Sequence, residues 1–478
     1  MSVIIEFDKK RKRIRRKETG GIPVAKEVTT YQCPACMGPL HFSGKSGKLE
    51  CEYCGSAYTV EEIEKLYEKP VTENVWTGEE TAGMKTYSCP SCGAELLCDA
   101  NTAAGSCPYC GNPTIIPGQF EGGIKPDLIL PFKMEKDAAK KALLHFYQGK
   151  KFLPDSFKEQ NHIEEIKGVY VPFWLYDYTV SGEAEFDARR VRVYHRGEWR
   201  ITETSHYLVR RKGSMDFTRV PADASKKMPD DYMDAVEPFD YSEIKPFSPA
   251  YLPGFFADKY DVDKKEGAER AGERVRNSVA AAMEETVQGY QTVIPGEQRF
   301  HTRQNRAEYA LFPVWLLSTR WNGESFLFAM NGQTGRLAGE LPVDKKKYWL
   351  WFAGIMAAVM AVFSVLCFLL SADSGLLTGG FAGLLLSAVT AFLVCSSFKK
   401  EMKTTGLQNR AQMYAAQSGL TLTEKEDRFL RVTQTRQRVQ SSASHGDGPG
   451  MAPGRGFGAV HGRREGHEPG PSRHGRRM

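Results

Sequence analysis

The stretch CPSCGAELLCDANTAAGSCPYC, residues 89–110, decides how the N-terminal third of this chain is read. It contains two CxxC pairs, Cys89/Cys92 and Cys107/Cys110, separated by 14 residues. An upstream copy, CPACMGPLHFSGKSGKLECEYC at residues 33–54, places Cys33/Cys36 and Cys51/Cys54 at the same spacing. Both read C-x2-C-x14-C-x2-C, 56 positions apart. Zn²⁺ takes four thiolates tetrahedrally, and two CxxC knuckles joined by a hairpin deliver them. The spacing therefore predicts two tandem zinc ribbons, residues 31–60 and 87–120, joined by a linker over 61–86. Two structural Zn²⁺ ions are expected on Cys33, Cys36, Cys51, Cys54, Cys89, Cys92, Cys107 and Cys110. Gly55, Gly93 and Gly111 follow knuckles, where a positive φ is needed; Met37 holds that place in the first. With four thiolates no open coordination position remains, so the ions are read as structural, with iron or redox chemistry as the alternative. Cys98 is a spare thiol, read as a partly buried hairpin residue.

Clustered CxxC pairs with no secretory leader in view argue for reduced thiols and metal, not disulfides. The net charge of +6 is unevenly spread. From position 401 onward there are 13 Lys/Arg and 7 Asp/Glu, so the first 400 residues balance at 51 against 51. Residues 31–120 carry 5 basic and 11 acidic side chains. Phosphate contacts need Lys and Arg, so the acidic ribbons point to protein contact over nucleic acid. The basic arm, residues 1–30 with KKRKRIRRK, suits anionic headgroups or plain solvation, with a nucleic-acid arm as the alternative. The Gly/Arg/Pro-rich tail, 441–478, lacks apolar residues for a core and is expected to be disordered.

Two uncharged runs of 23 residues, 348–370 and 376–398, are each long enough to cross a bilayer as a helix. They form a transmembrane hairpin, 345–400, joined by SADSG. Lys345, Lys346 and Lys347 precede it and Lys399, Lys400 and Lys403 follow it, placing both termini in the cytoplasm of a multi-pass plasma-membrane protein. Trp349 and Trp351 suit the interface. Gly379-x3-Gly383 and Gly354-x3-Ala358 offer small faces for helix contact. Neither span carries a charge, so transport has little support.

Residues 121–344 read as an α+β domain. MEKDAAKKALLHFYQ and KKEGAERAGERVRNSVAAAMEETVQGY are amphipathic helices; EAEFDARRVRVYH and EWRITETSHYLVR are paired strands turning at HRGE. A weak internal repeat aligns VYVPFWLYDYTVSGEAEF with ALFPVWLLSTRWNGESFLF, matching Pro172 to Pro313 and Trp174 to Trp315. These segments are core or strand edge, or alternatively a lipid or peptide groove. His145, His162, His195, His206 and His301 lack ligand spacing, and no HExxH, GxSxG, paired-carboxylate or nucleotide-binding loop occurs. Thr423 with Glu426 makes a capping box, predicting a helix within 401–440.

The paired CPxCG knuckles, DLILPF, GVYVPFWLYD, YALFPVWLLSTRWNGESFLFAMNGQTG and LPVDKKKYW resemble bacterial TFIIB-type zinc-ribbon-containing membrane proteins over roughly residues 31–400. FAMNGQTG, residues 328–335, is the most specific part. Members are sometimes labelled as primosomal helicases, a label this chain does not support. The resemblance implies a membrane adaptor whose eight knuckle cysteines bind metal, working beside phage-shock or SPFH-type envelope proteins in envelope stress. The basic arm and Arg-rich tail depart from that pattern. The alternatives are a membrane-tethered nucleic-acid binder and an enzyme acting on lipid or peptide in the middle domain.

Overall fold

The computed structural model describes residues 31–67, 76, 84–99, 107–110, 116–118, 124–160, 165–370 and 376–438. The basic arm 1–30, the tail 441–478, the loop 371–375, Gly111 and His162 lie outside them. The chain divides into two compact units: residues 1–190 with 205–431, and residues 191–204 with 432–478.

The first cysteine segment forms β1 (Leu40–Ser43), β2 (Lys48–Cys51) and β3 (Ala57–Tyr58), an antiparallel three-stranded sheet. It leads directly into α1 (Val60–Leu66), started by a Thr59/Glu62 capping box and buried through Val60 and Ile63. The span 61–86 is thus not a plain linker: it opens on a helix and closes on β4 (Met84–Ser88). The second cysteine segment adds β5 (Glu95–Asp99) and β6 (Ile116–Gly118), both paired with β4.

The middle of the chain follows as β7 (Leu128–Ile129), α2 (Lys136–Tyr147), α3 (Asp155–Gln160), β8 (Lys167–Arg196) and β9 (Trp199–Asp223). Next come α4 (Asp230–Val236), β10 (Lys245–Pro246), β11 (Phe256–Asp258) and α5 (Lys264–Glu285). Then β12 (Thr292–Trp321), β13 (Glu324–Asn331) and β14 (Leu337–Gly339) close the domain. One sheet runs β10-β7-β12-β8-β11-β5-β4-β6.

The weak repeat proves to be a pseudo-two-fold at the centre of this sheet. β8 and β12 are antiparallel, with Val171 opposite Phe312, Pro172 opposite Leu311 and Tyr170 opposite Pro313. The repeat equates Val171 with Phe312, so the axis passes between them. Outside, β11 pairs parallel with β8 through Phe256↔Val169 and Ala257↔Tyr170. Symmetrically, β7 pairs parallel with β12 through Leu128↔Ala310 and Ile129↔Leu311. The matched tryptophans cross over: Trp174 donates its indole N–H to Val262 O (2.9 Å), just before α5, and Trp315 donates to Met134 O (3.0 Å), just before α2. The repeat unit is therefore strand, helix and hairpin, larger than the sequence alignment suggests. Proline in a central strand lacks a ladder donor. Pro313 sits where β12 changes neighbour, from β7 at Leu311 to β13 at Val314. The carbonyls of Pro172 and Pro313 accept from Ala224 and Gly332.

Both faces of the central strands are buried, and alternation sorts their side chains. Tyr170, Trp174, Tyr176, Tyr309, Leu311 and Trp315 join one core, with α2, α5 and the first cysteine sheet. Val169, Val171, Phe173, Ala310, Phe312 and Val314 join the other, with α4 and the second cysteine segment.

Two long helices follow, α6 (Lys345–Leu370) and α7 (Leu376–Lys400). Stretches of 23 and 20 residues within them, at mean hydropathy 2.3 and 2.0, are long and apolar enough to cross a membrane. At Gly383 an added Cβ would lie 2.6 Å from the Phe363 ring, so the helices meet closely there. Gly354 faces open space, so its small face is not the contact surface. The helices are anchored at their base. Phe152 packs against Tyr348 (5.4 Å) and Phe398 (6.0 Å), Lys347 bridges Asp155 (2.9 Å), and Asp344 caps α6.

After the helices the chain returns to the domain. Gln408 binds Asp234, Ala411 N–H donates to Ser278 Oγ, and Tyr414 donates to Glu237 (2.8 Å), itself paired with buried Arg274 (2.7 Å). The helix expected within 401–440 is instead β15 (Thr421–Arg438), paired with β9. Thr423 spends its hydroxyl on Lys212 O, and Arg211 takes the Glu426 carbonyl and the Asp427 carboxylate (2.6 Å). In a helix that carbonyl would be spent internally. In the second unit Arg438 pairs with Glu198 (2.6 Å) and Gln434 with Glu203 (2.9 Å).

Candidate metal centres

The knuckles repeat one backbone pattern. The N–H four residues after the first cysteine donates back to its carbonyl, as Met37→Cys33, Gly55→Cys51 and Gly93→Cys89. The cysteine N–H in turn donates to the carbonyl five residues on, at Gly38, Ser56 and Ala94. The fourth residue of each turn has positive φ: 61° at Met37 and 72° at both Gly55 and Gly93. Met37 therefore carries a left-handed backbone without glycine, a cost of about 1 kcal/mol. Its neighbour Gly38 is needed for space, since a Cβ there would lie 2.7 Å from the Tyr53 ring.

The turns bring the eight expected cysteines together as two quartets, each with its sulfurs within 4.8 Å of one another. Cys33 and Cys54 Sγ are 3.5 Å apart, as are Cys36 and Cys51; Cys89–Cys110 and Cys92–Cys107 are 3.6 Å. At the ~2.3 Å metal–sulfur distance of a tetrahedral thiolate site, adjacent sulfurs lie about 3.8 Å apart. The quartets fit a metal ion, and all eleven cysteines are free of disulfides. Among the described residues no other cluster of His, Cys, Asp or Glu offers such a set. Cys98 is fully buried in β5, its Sγ 3.7 Å from Lys85 O, apart from the quartet. The expectation of partial burial understated its enclosure.

The two centres differ in setting. In the first, Cys33 and Cys51 are buried while Cys36 and Cys54 are exposed; in the second, Cys92 and Cys110 are half-buried. The Ser56 hydroxyl and amide bring the Cys54 thiol down to about 6. Burial pushes Cys89 up, but the amides of Cys92 and Ser91 outweigh it and hold it at about 7. Burial raises Cys92 to about 11 and Cys107 further still. Each site thus mixes thiols that ionise readily with thiols that a cation must deprotonate.

Both centres are built into the domain. β1 reaches it through Phe42 N–H to Pro253 O (3.2 Å), Phe42 against Tyr251 (5.2 Å) and Ser43 to Glu135 (3.2 Å). A Cβ on Gly44 would meet Phe132 O at 2.7 Å. The second centre goes further, because β5 is a strand of the large sheet, with Leu97 opposite Ala257 and Leu96 opposite Asp258. Tyr109, between Cys107 and Cys110, donates to buried Asp258 (2.7 Å), which also accepts from Ser225 (2.7 Å) and pairs with Lys227 (3.3 Å). No local motif marks this anchor, since 149 residues separate its partners.

Within the FAMNGQTG stretch the side chains have architectural roles. Asn331, fully buried, donates to Val236 O and Pro238 O while its Oδ1 accepts from Gln333 and Thr334 N–H. Gly332 leaves room for Phe132, 2.6 Å from where a Cβ would sit. Trp174 and Trp315 are buried in the core.

No family model and no solved structure matches the chain. The uncharacterized protein YdjG of Bacillus subtilis (strain 168) is 32% identical over 328 residues, which cover 69% of this chain and 94% of YdjG. By that identity and coverage, the chain belongs to the family of YdjG.

Proposed function

We propose that the protein is a membrane-anchored scaffold, facing the cytoplasm, that holds two structural Zn²⁺ ions in TFIIB-type ribbons and recruits protein partners. Zinc is the ion that four thiolates in a closed tetrahedral set favour. The orientation rests on the lysines flanking α6 and α7. One observation carries the recruiting role: the quartets and the apolar helices are fastened to one domain, while strands of its large sheet remain open. Residues 292–306 of β12 are largely exposed, and β15 pairs only with β9 among the described residues. A strand with an unpaired edge can accept an extended segment of a partner. Phe429 and Leu430, 52% and 51% exposed, give the β15 edge apolar contacts. The metal centres hold the platform rather than touching the partner. SPFH-type or phage-shock-type envelope proteins are the partners the resemblance suggests.

Crosslinking in native membranes followed by mass spectrometry tests this. Wild type should give a recurrent crosslinked protein near β15, lost in Phe429→Ser/Leu430→Ser while membrane insertion and two metal ions per chain persist. The same crosslinks in that variant would sink the assignment.

A further inference from the structure

The base of the helix pair carries a groove that the scaffold role does not use. It is about 380 Å³ in volume and lies between the facing stripes Lys345, Tyr348 and Trp349 of α6 and Phe392, Ser396 and Lys399 of α7. A second hollow of about 490 Å³ continues from it past Lys400 and Lys403, sharing Ser396 and Lys399. Lys345 and Lys399 have no carboxylate within 4 Å among the described residues; the acidic side chain in the second hollow, Glu340, is matched by Lys403 at 3.2 Å. The groove is graded. From Lys345 to Trp349 is about 6 Å along the helix, and from Lys399 to Phe392 about 10 Å. Cations thus stand at the rim, a hydroxyl at Ser396 below them, and the rings of Trp349 (63% exposed) and Phe392 (59% exposed) deeper.

We propose that this groove binds one anionic phospholipid, its phosphate between Lys345 and Lys399 and an acyl chain along Trp349 and Phe392. The inference rests on the reading of α6 and α7 as membrane spans. The grading selects a lipid, because a free anion would engage only the rim and a zwitterionic headgroup would bring its own cation to the lysines. The level fits too, since lysines and tryptophan at the start of a span lie where headgroups are.

The full chain in detergent is titrated with brominated-chain phosphatidylglycerol, read by quenching of tryptophan fluorescence, and with brominated phosphatidylcholine and glycerol phosphate. Phosphatidylglycerol should bind more tightly than phosphatidylcholine, and glycerol phosphate should not displace it. Lys345→Gln/Lys399→Gln should weaken phosphatidylglycerol roughly 30-fold, for two lysines at the surface. Lys346→Gln, which removes a neighbouring charge outside the groove, should change it less than 3-fold. A double variant within 3-fold of wild type, equal affinity for both lipids, displacement by glycerol phosphate, or an equal loss in Lys346→Gln would overturn the proposal. Carbonate extraction of membranes separates the two readings: protein released by carbonate refutes the spans, and protein retained with unaltered lipid binding refutes the groove alone.

Discussion

Replacing Tyr109 by Phe cuts the tether between the second metal centre and the sheet without touching a thiol. The hydroxyl donates to Asp258 at 2.7 Å, with Tyr109 6% and Asp258 3% exposed. A buried hydrogen bond to a charged group contributes about 1.5–3 kcal/mol. Asp258 keeps Ser225 and Lys227, so the loss falls on the knuckle, whose Cys107 and Cys110 supply two of the four thiols of the quartet. At about 1.4 kcal/mol per decade, metal should leave the second centre some 10–150-fold faster. A chromogenic chelator added to full-length protein in detergent reads this directly. Wild type should release metal in two phases, the faster from the first centre, where Cys36 and Cys54 are exposed. Tyr109→Phe should accelerate the slow phase and leave the fast one unchanged. Unchanged release in both phases would show the tether to be energetically idle. Equal acceleration of both would mean general destabilisation, and either result refutes the reasoning.

Glu237→Gln should lower the melting temperature by on the order of 5 °C, because Arg274, 3% exposed, loses its bidentate partner at a cost of about 3–5 kcal/mol; trypsin should then cut within 404–420, which Tyr414 no longer fastens. Metal binding should weaken on acidification: the loaded site holds no thiol protons, the free site takes up more as pH falls, and Cys54 joins below about 6, so a competition titration from pH 8 to pH 5 should steepen there in the first centre. Cys98→Ala should keep two metal ions per chain by elemental analysis, since the thiol lies outside the quartet; one ion lost would make it a ligand.

Sequence patterns identified what is local. Both quartets, the helices at 136–147 and 264–285, the long apolar helices and the turn at Gly197 (φ 62°) follow from spacing, periodicity or turn chemistry. Missed features depend on distant partners. β15 is exposed along almost its whole length, so no burial alternation marks it, and pairing with β9 overrides a local helix signal. Gly213 permits that approach, since a Cβ there would strike Thr421 O. β8 and β12 each extend for 30 residues across glycines that break the strand pattern. Gly182 lies against Arg299 O, and a bulge absorbs Pro295 to Gln298, so the ladder continues past both. The repeat shows as two matched residues because only its central strands kept their sequence; its outer strands and helices are recognisable by pairing alone.

The pseudo-two-fold also explains why the second centre is where it is. The two halves leave equivalent outer edges at β7 and β11, and a sheet edge with free N–H and C=O groups invites association with another chain. The β7 edge is covered by β10, two residues ending in Pro246, which has no N–H to offer a further strand. The β11 edge is covered by β5, whose hairpin is closed by the four thiols of the second quartet. An ion on that quartet would add its binding free energy to the seating of β5. The Tyr109–Asp258 hydrogen bond, across 149 residues of chain, ties that quartet to β11, so an ion held there would help keep this side of the central sheet closed. On this argument, stripping the ions should first expose β11 and drive edge-to-edge association, with the α6–α7 base intact because Phe152, Lys347 and Asp344 hold it through contacts that involve no cysteine. Oligomers formed on chelation that dissolve when metal is restored would bear this out; a monomeric, protease-resistant metal-free protein would show that β5 stays seated without its ion.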